Sequence, residues 1–148
     1  MPDLVRDLVI PVHTVSTLAM FGVIWIVQLV HYPLMARVGE SSFREYQRQH
    51  VRRITWVVGP LMLAEVATAL SILIDAPSGW SERAAWTGIG LVTLAWVATA
   101  LFSVPLHGRL ERGFDAATHR RLVATNWIRT CVWTARAVLV ATTLHGAI

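Results

Sequence analysis

Residues 54–74 read Ile-Thr-Trp-Val-Val-Gly-Pro-Leu-Met-Leu-Ala-Glu-Val-Ala-Thr-Ala-Leu-Ser-Ile-Leu-Ile, and Glu65 is the only ionisable side chain among them. A hydrocarbon core about 30 Å thick takes about 20 apolar residues in helix. Lipid offers no partner for backbone N–H and C=O groups, so a segment of this kind must satisfy its own by coiling into a helix. Working outward, Leu8–Met35, Ala84–Pro105 and Leu122–Leu144 have the same character. The sequence therefore predicts an all-α integral membrane four-helix bundle, a single domain over residues 1–148 with spans at about 8–35, 54–74, 84–105 and 122–144.

Composition points the same way. The chain is 55% hydrophobic and 15% charged, with a mean hydropathy of +0.53. Soluble domains carry about 25% charged residues. A sequence pI near 10.6 would suit a nucleic-acid partner, but the placement of the charge excludes that reading. All 13 basic residues are arginine, and nine of them flank two hairpin turns. Arg37, Arg44, Arg48, Arg52 and Arg53 lie between the first and second spans; Arg109, Arg112, Arg120 and Arg121 lie between the third and fourth. The N-terminus has only Arg6 and the loop Asp75-Ala-Pro-Ser-Gly-Trp-Ser-Glu82 is followed only by Arg83. By the positive-inside rule both hairpin turns face the cytoplasm and both termini face outward, as in a multi-pass protein of the bacterial inner membrane. Leu8–Met35 is too long for a signal-peptide h-region and is expected to stay as a span. Cys131 stands alone, which excludes an internal disulfide and a cysteine-rich metal site.

The two halves are alike. Pro33-Leu-Met-Ala-Arg37 aligns with Pro105-Leu-His-Gly-Arg109, Phe43 with Phe114, and Trp56 with Trp127. The bundle is thus read as two parallel, pseudo-repeated helical hairpins. Ser42-Phe-Arg-Glu45 reads as a capping box opening the second helix, and Gly113 and Asp115 as a helix stop and an N-cap.

Ionisable groups inside a span cost about 2.5–3.5 kcal/mol each on insertion scales, so they should face the bundle interior. Glu65 and Arg136 are repeat equivalents and are expected to pair across the bundle, either as a structural clamp or as a functional site. His119, Asn126, Arg129, Trp133 and Arg136 fall on one face of the last helix. Glu65, Arg136, Arg129 and Asn126 are accordingly the candidate catalytic residues, although Arg129 can snorkel towards the cytoplasmic end. Trp127 and Trp133 flank the polar face, either as core packing or as the lining of an aromatic pocket.

His13, Thr17, Ile24, Gln28 and His31 share a face of the first helix. Counting from the turn centres puts His31 level with His50, and His107 level with His119. Neutral imidazole ligates both transition metals and haem iron, so His31, His50 and His107 are the candidate cofactor- and metal-binding residues. His50 and His119 also read as parts of solvated basic helix ends. Pro33 and Pro105 each remove a backbone hydrogen bond beside a histidine and loosen the helix there.

The strings His31-Tyr-Pro-Leu, Phe43-x-x-Tyr46-x-x-x-His50, Gly59-Pro-Leu-Met-Leu-Ala-Glu65 and Thr125-Asn-Trp-Ile-Arg-Thr-x-x-Trp-Thr-x-Arg136 resemble small four-span bacterial inner-membrane proteins. The nearest named group by length and span count is the anthrone oxygenase-like family. That resemblance implies oxygen-dependent oxidation of an aromatic substrate, and no residue is carried over from it.

Three functions fit the sequence. The first is a membrane oxidoreductase binding haem, a metal or a quinone-like or aromatic substrate. The second is a small transporter or channel protomer, and the third a non-catalytic membrane subunit or assembly factor. The implied partners are the lipid bilayer, a hydrophobic small molecule and a second copy of the chain, with no nucleic acid.

Overall fold

The computed structural model describes residues 3–77 and 79–145, with side chains from residue 7 onward; Ser78 in the central loop and the Arg6 side chain lie outside the described residues. Among them the fold is all-helical, with four rods and no strand. Helix α1 runs Asp3–Ile26, widens into a π-turn at Val27–His31 and ends in the short helix Tyr32–Met35. Helix α2 is the continuous Glu40–Ile74. Helix α3 repeats the design of α1, with Glu82–Ala98, a π-turn at Thr99–Ser103 and Val104–Leu110. Helix α4 is Ala116–His145.

The π-turns have a local cause. Each stands just ahead of an X-Pro step, Tyr32-Pro33 and Val104-Pro105. Proline has no N–H, and its ring crowds the carbonyl four residues back. Widening the turn by one residue relieves the crowding and shifts the ladder, so that the Tyr32 N–H donates to the Val27 carbonyl and the Val104 N–H to the Thr99 carbonyl. The two π-turns begin 72 residues apart.

Short connections make consecutive rods antiparallel. Each rod packs on two neighbours, α1 on α2 and α4, and α3 on α2 and α4. The α1–α2 and α3–α4 turns lie at one end, where Phe43 and Phe114 meet edge to face at 5.1 Å. The second turn is built as expected: Gly113 takes a positive φ of 148° and the Asp115 carboxylate accepts from the Thr118 N–H at 2.7 Å. The first is not. Gly39 caps α2, so Ser42 already lies inside the helix, and Glu45 binds Arg48 and Gln49 instead of reaching back. The capping-box reading placed the helix start too late.

Three apolar layers hold the rods together. Tyr32, Met35, Phe43, Leu106, Leu110 and Leu122 form the layer at the hairpin end. Met20, Ile24, Met62, Ala95 and Trp133 form the middle, and Val9, Ile72 and Ala85 the far end. Polar side chains are sandwiched between these layers, whereas Leu29, Leu63, Leu70, Leu101 and Val104 point outward. Three rods, α1 from Asp7, α2 and α3, are long and apolar enough to cross a membrane. Helix α4 is not apolar enough by composition, because its arginines and Asn126 dilute it; Asn126, Arg129 and Arg136 are nevertheless buried against the other rods.

Candidate functional site

Two polar regions sit inside the bundle. The first is centred on Glu65, which is fully buried on α2. Its Oε1 accepts from Arg136 Nε at 3.0 Å and from the Thr17 hydroxyl at 2.9 Å, and its Oε2 accepts from Trp133 Nε1 at 2.8 Å. Arg136 also donates from Nη1 to the Gly88 carbonyl at 2.8 Å and from Nη2 to Thr17 Oγ1 at 3.4 Å. All four rods contribute to this cluster, and both charges are met. Beside it, His13 Nδ1 and Thr68 Oγ1 pair at 2.8 Å.

The second region is centred on Arg129, about two helical turns further towards the hairpin turns. The two π-turns frame it. Ser103, from the α3 π-turn, accepts from Arg129 Nη1 at 3.0 Å; Gln28, from the α1 π-turn, accepts from Asn126 Nδ2 at 2.8 Å. Asn126 Oδ1 accepts a second bond from Nη1 at 3.1 Å. The guanidinium lies over the Trp133 ring, 5.2 Å from its centroid, while Arg129 Nε is buried with no partner. Among the described residues no carboxylate is within 4.0 Å of Arg129. A π-turn places its side chains off the regular helical register, which is how Gln28 and Ser103 both reach α4.

A cavity of about 360 Å³ opens beside this guanidinium. Val23, Val27, Ile54 and Val58 give it apolar walls, and Tyr32, His50, His107, Ser103 and Arg129 give it a polar side. Its exposed rim residues, Thr55, Val104 and Gly108, lie on α2 and α3, so it opens sideways between those rods. With the Gln47 amide nitrogen turned towards His107, the hydrogen bonds around the cavity assign its protons. Gln47 Nε2 donates to His107 Nδ1 at 2.8 Å, which leaves the His107 proton on Nε2. That N–H donates to the Tyr32 hydroxyl oxygen at 3.1 Å. The Tyr32 O–H is then free to donate to a ligand oxygen in the cavity.

The candidate residues are thus partly gathered and partly separated. Glu65 meets Arg136, and Asn126 meets Arg129, in two distinct clusters. The three histidines form a chain: His31 stacks on His50 at 4.0 Å between ring centroids, and His50 lies 5.6 Å from His107. Such stacking presents ring faces to one another, not convergent nitrogens, and both nitrogens of His107 are already hydrogen-bonded. Among the described residues no group of three or more His, Cys, Asp or Glu is arranged to hold a metal ion. His31, His50 and His107 therefore do not converge as a three-ligand metal site.

His31 does not line this cavity. It lines a separate recess with Tyr46, Gln49 and His50, and its buried Nε2 has no partner. His50 borders both the recess and the cavity. His119 is buried, not part of a solvated end; its Nε2 bonds the Tyr32 carbonyl at 2.9 Å. Sequence reading missed Tyr32, Gln47 and Ser103, and left Trp133 between packing and an aromatic pocket. Tyr32 alone carried a signal, standing between His31 and Pro33.

Comparison with known protein families, with characterised proteins and with solved structures gives no match, so the anthrone oxygenase-like resemblance carries no argument below.

Proposed function

We propose that this chain is a four-span membrane protein whose cavity binds a small, largely apolar molecule, quinone-like or aromatic, through an oxygen atom. The observation that carries this reading is the cavity itself: about 360 Å³ of mostly apolar wall, with Arg129, Tyr32 and His107 on one side. Ligand pockets typically measure about 300–1,000 Å³ and combine apolar walls with a few placed polar groups. Support for the membrane comes from the arrangement of polarity, with charged residues enclosed and leucines outside. That is the order a bilayer favours. Helix α4 crosses too in this reading, because its arginines at 129 and 136 are hidden by the other rods.

The arginine-rich turns share one end, which supports a reading with that end in the cytoplasm of a bacterial cell and the termini outside the inner membrane. The repeat is supported by the matched π-turns and by the contact of the equivalent residues Phe43 and Phe114.

The chemistry proposed is redox conversion of the bound molecule, with a reduced membrane electron carrier as co-reactant. A quinone takes up two electrons and two protons to give a hydroquinone. Tyr32 holds a ligand oxygen through its hydroxyl proton, His107 Nε2–H holds the Tyr32 oxygen in turn, and both protons of the hydroquinone come from solvent water. For Glu65 and Arg136 a different role is favoured: every polar atom of the carboxylate is occupied, so the pair acts as a clamp between rods.

The test is binding of a neutral naphthoquinone to detergent-purified protein. Saturable binding with a raised unfolding temperature is expected, because a ligand that favours the folded state stabilises it. Val58→Trp, which fills the cavity from its apolar wall, should abolish the effect. Unsaturable uptake, or uptake indifferent to Val58→Trp, would refute the reading. In a Cys131→Ser background, Arg48→Cys and Arg112→Cys should label only from the cytoplasm and Ser81→Cys only from outside.

A further inference from the structure

We infer that the molecule held beside Arg129 is an anion, an apolar body carrying one negatively charged oxygen of carboxylate or enolate type. This inference rests on the proposed ligand cavity and adds the charge of what enters it. Arg129 is 7% exposed, and its polar partners, Ser103 and Asn126, are neutral. Burying an unpaired charge is costly, and proteins ordinarily pair it or leave it in water. The seven-residue step to Arg136 shows the same chain solving that problem with Glu65. At Arg129 no carboxylate is supplied among the described residues, its Nε is buried without a partner, and the side chain lines a cavity.

The other charged groups do not fill the vacancy. Glu65 is fully engaged, and Trp133 stands between it and Arg129, donating to one and stacking on the other. Glu111 borders the cavity but makes no ion pair with Arg129. The guanidinium borders the cavity as a cation without a counter-charge, and the Tyr32 hydroxyl offers a donor beside it. Trp133 contributes a cation–π contact that holds the cation in place without neutralising it. A guanidinium distinguishes an anion from a neutral isostere by charge, whereas the valine and isoleucine walls accept either body equally. The lateral opening between α2 and α3 suits a ligand dissolved in the bilayer, whether a rigid aromatic acid or a fatty acid.

Naphthoate and naphthamide share size and shape and differ in charge. With the purified wild type, naphthoate should bind at least tenfold more tightly than naphthamide, read by calorimetry and by the rise in unfolding temperature. Arg129→Gln should reduce naphthoate to the level of naphthamide, and Arg129→Lys should restore part of the preference. Laurate compared with naphthoate separates the two sources: tighter laurate binding assigns an acyl chain, tighter naphthoate binding an aromatic body, and either supports the anion. Equal binding of naphthoate and naphthamide by the wild type, together with saturable naphthoquinone binding, overturns the anion and leaves the cavity reading standing. Absence of saturable binding by all the probes overturns both. The wild-type comparison decides the matter even if the variants fail to fold.

Discussion

Arg129 and Arg136 lie seven residues apart on one face of α4, both buried, and they are treated in opposite ways. Arg136 is locked to Glu65, Thr17 and the Gly88 carbonyl, with the carboxylate completed by Trp133. Arg129 touches only neutral groups and the face of the same tryptophan, and it borders open space. The contrast separates two uses of a buried charge. A fully partnered pair fixes how four rods meet; a charge left without its counterpart waits for one from outside. The flanking backbone follows the same division, since the two π-turns stand beside the open region and α2 is an unbroken helix at Glu65.

The largest effect is expected at Glu65. Glu65→Gln leaves Arg136 buried without a counter-charge and should cost about 3–5 kcal/mol of unfolding free energy. Combining it with Arg136→Gln should cost less than the sum of the single changes, because the two groups are in contact. Strict additivity in that cycle would remove the clamp from the account.

A smaller loss is expected at Trp133, where the two regions touch. Trp133→Phe removes the N–H that satisfies Glu65 Oε2 and should cost about 1–3 kcal/mol, the usual penalty for an orphaned buried acceptor. It should also weaken naphthoate binding only mildly, since a phenyl face still lies near Arg129. A variant that kept full stability but lost binding would place Trp133 in the cavity's work and not in the clamp.

The smallest stability change belongs to Tyr32. Tyr32→Phe removes a hydroxyl that accepts from His107 and borders the cavity, so the folded state should lose only about 1 kcal/mol. Binding of naphthoquinone should fall several-fold more than that of a hydrocarbon of similar size. If both probes weaken alike, the hydroxyl is not a donor to the ligand.

Much of this was legible in the sequence for definite reasons. Apolar runs of span length announced the rods. Counting residues outward from the first turn placed His31 opposite His50, because antiparallel helices joined by a short turn have a fixed register. An offset of 71 residues singled out Glu65 and Arg136, which meet in the fold. What escaped depends on contacts between rods. Gln47 looks like any polar residue of a basic helix end until α3 brings His107 beside it, and Ser103 gains its role only because the π-turn rotates it towards α4. His119 was read both on the polar face with Asn126 and as part of a solvated basic end, and the buried face is where the fold puts it. The metal expectation counted imidazoles by height and could not foresee that the rings would stack face to face.

The central claim is that one buried arginine is satisfied and the other is reserved for a ligand. It is tested most directly by measuring the unfolding free energy of ligand-free Arg136→Gln and Arg129→Gln in the same detergent. Arg136→Gln orphans a buried carboxylate and should lose about 3–5 kcal/mol. Arg129→Gln orphans no charge and should change stability by less than about 1 kcal/mol, or raise it, since the desolvated cation is gone. Equal, large losses in the two variants would contradict the account, because Arg129 would then already have its partner within the fold.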